Sequence, residues 1–91
     1  MDIDLQQITE EPWEYQVTLL EDDMNLGEYV VTMSGDEYRR YSSTEEPDEV
    51  IRATFKFLLD QEDPEMIFER FSISTVEQHF PEYPDRLEDY F

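Results

Sequence analysis

Cysteine is absent from these 91 residues, which excludes a disulfide framework, a thiolate metal site and thiol catalysis. Positive charge is scarce as well. Six Lys and Arg stand against 25 Asp and Glu, for a net charge of -19, and residues 1–38 hold eleven acids with no Lys or Arg at all. A surface so negative repels phosphate and anionic lipid, so neither direct nucleic-acid binding nor membrane binding is expected. The opening MDIDLQQITEE lacks a basic segment followed by an apolar one, and no secretory leader is expected from it. No apolar run approaches the roughly 20 residues of a membrane span. A cytoplasmic location is the expectation. Histidine occurs once, at His79, with no serine nucleophile or second metal ligand at a telling spacing, so neither catalysis nor a cofactor is expected.

What the chain does have is apolar and aromatic material, 38% and 14% of its residues. That is enough for the core of one small domain despite the charge. The densest pattern lies in PDEVIRATFKFLLDQ, residues 47–61. Val50, Ile51, Phe55, Leu58 and Leu59 recur at three- and four-residue spacing, forming one helical stripe that Phe57 widens. Pro47 suits the first helical position, and Asp48 and Glu49 suit its positive dipole end. Asp48–Arg52 and Lys56–Asp60 are i,i+4 pairs on the opposite face, each contributing about 0.2–0.5 kcal/mol. Pro64 stops this helix, and Asp63-Pro64-Glu65 restarts another over 64–71, with Ile67, Phe68 and Phe71 as its apolar side.

Upstream, Trp13, Tyr15, Val17 and Leu19 alternate with polar residues, as do Tyr29, Val31 and Met33. Strands at about 13–20 and 28–34 follow, joined by an acidic loop at 21–27 into an antiparallel hairpin. Residues 1–12 read as a flexible acidic arm ahead of a single domain, 13–91. Ser34-Gly35-Asp36-Glu37 has the spacing of a capping box and predicts a helix over 35–41. Ser42–Glu46 reads as a linker. Ser74-x-x-Glu77 predicts a helix over 75–80, and Pro84 opens a last turn over 84–90. With all strands first, the order is β-β-α-α-α-α, and the fold class is α+β: an N-terminal hairpin packed against a C-terminal helical cluster.

The segment FKFLLDQEDPEMIFERFSISTVEQHFPEY resembles the C-terminal half of small bacterial proteins that join a β-hairpin to a phenylalanine-rich helix. In those proteins the helix leads to an acid-Pro restart and an FPEY-like ending. Phe55, Phe57, Leu58, Leu59, Pro64, Phe71, Phe80, Pro81, Glu82 and Tyr83 carry the resemblance. It implies a structural role for them and no activity.

Three constellations invite a functional reading. Glu21, Asp23 and Asn25 alternate as in an EF-hand loop, but the glycine comes one place late and Thr32 stands where a bidentate Glu belongs. The helices at 47–61, 64–71 and 75–80 imitate a helix-turn-helix, yet the third has no Lys or Arg to meet phosphate. The charge asymmetry carries further. Glu14, Glu21, Asp22, Asp23 and Glu28 form a candidate acidic interaction face, suited to a basic protein surface. Its sharp form is a nucleic-acid mimic that occupies the groove of a DNA- or RNA-binding protein. An alternative is a structural subunit of a small homo- or hetero-oligomer, using the hairpin edge and Tyr90-Phe91. The plainest account of the charge is solubility.

Overall fold

The computed structural model describes residues 2–41 and 45–91. Its first element corrects the reading of the N-terminus. Asp2–Glu10 is not a flexible arm but a strand, β1. It pairs antiparallel with β2 (Trp13–Glu21) from Asp2↔Leu20 to Glu10↔Trp13, with an irregularity between Gln7 and Thr9. The cause is a short period-2 alternation: Ile3 and Leu5 pack on the core while Asp2 and Asp4 stay exposed.

The second correction concerns the hairpin loop. The expected 21–27 loop shrinks to Asp22-Asp23, because β3 already begins at Met24 and runs to Met33. Both turn residues have positive φ, 51° and 65°, the twist a two-residue hairpin requires. Leu19 faces Gly27 and Leu20 faces Asn25, which leaves Leu26 as an extra residue on β3. Asn25 Oδ1 accepts the Gly27 N–H at 2.8 Å inside this bulge. A side chain at Gly27 would meet Tyr29, its Cβ lying only 2.8 Å from Cζ. With glycine there, the Tyr29 hydroxyl passes and donates to Pro64 O at 2.6 Å.

The third correction is the helix expected over 64–71. Only a single 3-10 turn, Pro64–Met66, forms. The chain then extends into β4 (Arg70–Ser72), parallel to β3 from Val30↔Arg70 to Thr32↔Ser72. A helix that short is marginal by itself. The extended path instead gives the Val30 N–H a partner in Glu69 O, at 2.7 Å, and buries Phe71. The sheet is therefore four-stranded, in the order β1-β2-β3-β4. Both edges of the expected hairpin are covered, and β1 and the short β4 are the outer strands. The class remains α+β, but the strands do not all come first.

Helices α1 (Gly35–Tyr41) and α2 (Pro47–Gln61) occupy the ranges predicted for them. Of the linker read at 42–46, residues 42–44 lie outside the described residues. Helix α3 spans Ile73–His79, and α4 (Tyr83–Arg86) passes into a 3-10 turn, Leu87–Tyr90. The capping box at α1 forms: the Ser34 N–H donates to Glu37 Oε1 at 2.8 Å, and the Glu37 N–H to Ser34 Oγ at 3.1 Å. The one predicted at Ser74 does not, since the N-cap of α3 is Ser72, without a side-chain capping bond.

Helix α2 is buried on two faces, not along one stripe. Ile51, Phe55 and Leu58 lie on one side, and Phe55 meets Tyr29 and Phe71, with ring centroids 5.6 and 5.9 Å apart. Thr54 and Phe57 lie on the other. Phe57 meets Phe80, Tyr83 and Tyr90 at 5.7, 5.4 and 5.9 Å. The C-terminal turns thus cover the second face, while Leu59, expected inside, is only half-buried. Thr54 Oγ1 gives its proton to Val50 O at 2.7 Å, so the buried Tyr83 O–H is the donor of the 2.7 Å bond to Thr54. Arg52 does not serve Asp48 in an ion pair. Its guanidinium donates to Ile3 O at 2.6 Å and ties α2 to β1.

Candidate functional site

Alternation along the strands leaves one face of the sheet to the helices and the other open. Across the open face run rows of register partners: Asp4, Thr18 and Glu28; Gln6, Gln16, Val30 and Arg70; Thr9, Glu14, Thr32 and Ser72. Within a row, Asp4 and Glu28 stand two strands apart, about 9–10 Å.

Four of the five acids expected on an interaction face gather at one end of the sheet. Glu21 closes β2, Asp22 and Asp23 form the turn, and Glu28 follows on β3, all exposed. Among the described residues, no ion pair or side-chain hydrogen bond involves any of the four. Glu14 does not join them. Seven residues of strand separate it from Glu21, about 24 Å, and it accepts an ion pair from Arg70 at 3.2 Å with its side chain 22% exposed. In its place come Asp2 and Asp4, which β1 sets beside β2 at the tip end, opposite Leu20 and Thr18. Reading residues 1–12 as an arm hid them, although the Asp-Ile-Asp-Leu alternation was the signal.

Two carboxylates at the junction of α1 and α3 are engaged. Glu37 Oε2 accepts the Ser74 N–H at 2.8 Å, so its one carboxylate closes the first turn of α1 and also holds the start of α3. Burial alone would raise its pKa, but the hydrogen bonds from Ser34 and Ser74 outweigh burial and hold it below the ordinary carboxyl value. Glu77 accepts two bonds from Arg40 Nη2, at 2.6 and 2.8 Å, and one from the Tyr41 hydroxyl at 2.7 Å. The Tyr41 bond, then Arg40, lowers the Glu77 pKa, while burial and that same bond push Tyr41 up to about 12. Glu37 and Glu77 border a shallow groove with Asp36, Arg40 and Ser74, but both hold their hydrogen bonds as ionised acceptors. As ionised groups with lowered pKa values they carry no proton to donate as general acids.

His79 stands edge-on to Phe68, with centroids 5.3 Å apart. Among the described residues no three His, Asp or Glu side chains are grouped to hold a metal ion. No buried side-chain polar atom there lacks a partner, and no described helix is long and apolar enough to cross a membrane. No protein-family model matches the chain, and no curated protein or solved structure matches it either. The likeness to hairpin-and-helix bacterial proteins rests on the residues quoted for it.

Proposed function

We propose that the protein is a non-enzymatic interaction module whose acidic sheet tip docks a basic surface of another protein. The observation that carries this reading is the turn itself. A two-residue hairpin turn with positive φ at both positions favours Asn-Gly, yet Asp22-Asp23 stands here, flanked by Glu21. Asp tolerates the left-handed region but less readily than Gly, and two adjacent carboxylates repel each other. Such a departure from local preference is expected where a surface serves a partner. The cations support the same division. Arg39, Arg40, Arg70 and Arg86 pair with Asp36, Glu77, Glu14 and Asp89, and none of these pairs reaches the tip.

The test sets the protein beside a tip-neutralised form carrying Glu21→Gln, Asp22→Asn, Asp23→Asn and Glu28→Gln, with a DNA column as the polyanion control. Each is loaded with source-cell lysate at low salt and eluted by a salt gradient. The expected result is one stoichiometric protein held above about 0.3 M salt, where exposed charges are well screened, and lost with the neutralised form. If that protein also binds DNA and is displaced from it, the partner site is one the acids fill in place of phosphate. A mixture of basic proteins released together at low salt would overturn the reading and leave charge as a solubility device.

A further inference from the structure

On the helical side, an apolar groove of about 180 Å³ opens between the end of α2, the 64–68 segment and α3. Leu58, Ile67, Val76 and Phe80 line its interior, and Met66 and Phe68 form its lip. The lip residues are conspicuous in a molecule that hides most of its large apolar side chains: Met66 is 64% exposed and Phe68 55%. His79 stacks edge-on to Phe68 and supports the ring at the rim. One acid lines this apolar opening, and two exposed acids adjoin its lip in sequence. Glu62 lines it, Glu65 precedes Met66 and Glu69 follows Phe68. The nearest cation in sequence, Arg70, turns to the open sheet face and Glu14.

We infer that this groove binds a basic amphipathic helix of a partner protein, which inserts one large apolar side chain between Met66 and Phe68 while its Lys and Arg meet Glu62, Glu65 and Glu69. A cavity of roughly 150 Å³ is enough to hold a benzene ring, so the groove matches one Leu or Phe side chain. An apolar slot with a charged rim reads the two faces of such a helix at once. Charge selects this occupant over a second copy, which would bring two acidic rims together. The inference shares with the proposed function the sign of the partner's charge but uses a different surface.

The probe is a labelled four-turn helix with Leu on one face and Lys on the other, followed by fluorescence anisotropy at about 0.15 M salt, where exposed charges beyond about 8 Å are screened. A control helix of equal charge has Ser in place of Leu. The Leu/Lys helix is expected to bind at least about tenfold tighter than the control, as burial of one large apolar side chain implies. Met66→Ala with Phe68→Ala should remove that preference; both side chains are mainly exposed, so the fold survives, as circular dichroism will verify. The tip-neutralised form should keep the preference, which separates failure of the groove from failure of the tip. Equal affinity for the two helices overturns the inference, as does a preference that survives the double substitution. A concentration-dependent dimer in sedimentation, abolished by Met66→Ala and Phe68→Ala, overturns it in favour of self-association.

Discussion

Glu37 and Asp23 bring the same carboxylate to two regions that use it in opposite ways. At the junction of α1 and α3, Glu37 accepts the N–H groups of Ser34 and Ser74, and its neighbour Glu77 is held by Arg40 and Tyr41. At the sheet tip, Asp23 sits at positive φ directly after the exposed Glu21 and Asp22. One region uses carboxylates to join helices; the other concentrates them without an internal partner. Charge count alone does not distinguish these regions. Access to donors does.

Removing the junction carboxylate is the strongest way to break that contrast. Glu37→Ala leaves two part-buried N–H groups without their charged acceptor, and urea unfolding should show a loss of about 2–3 kcal/mol. Acid titration sharpens it. The Glu37 pKa is lowered on folding from its ordinary 4.5, so its contribution is complete above that pH and disappears as pH falls through the lower folded value. The difference between the natural protein and Glu37→Gln isolates the junction, and it should shrink as pH falls below 4.5; a constant difference would mean that Glu37 is not the group titrating.

Gly27→Ala comes next. It should move the Tyr29 ring and break the hydroxyl bond to Pro64 O, costing about 1–2 kcal/mol by thermal unfolding. Asp23→Gly acts in the other direction, raising stability by about 0.5–1 kcal/mol as the positive-φ penalty is relieved. The backbone part of that gain should persist at 1 M salt, where the Debye length is about 3 Å, while the charge part disappears. Arg39→Ala is the smallest change. Its pair with Asp36 is exposed, and a shift within about 0.5 kcal/mol is expected.

Much of the fold was legible because its signals are local. The alternation of Tyr15, Val17 and Leu19, the Ser34–Glu37 spacing and Pro47 opening a helical stripe each act within a few residues. The reading failed where long-range pairing decided. Nothing near Arg70 demands a strand, but β3 offers an unpaired edge, and one bond from Val30 to Glu69 helps settle the chain there. Asp2–Leu5 alternates too briefly to stand alone, and becomes a strand only because β2 is beside it. The same limits apply to the candidate site. The tip acids 21–23 are neighbours in sequence and were visible; Asp2 and Asp4 needed the β1–β2 register, and Glu14 left the group once Arg70 arrived from the far half of the chain.

By itself the sequence determined the α+β class, the absence of thiol chemistry in these residues, the chain's net charge and the ranges of α1 and α2. These follow from composition and short-range periodicity, which hold in any arrangement of the chain. Only the tertiary structure decided that α2 is buried on both faces, that the hairpin grows to four strands, and which acids are held and which stand free. Those outcomes depend on donors and rings that lie tens of residues apart in sequence and meet only when the chain has packed.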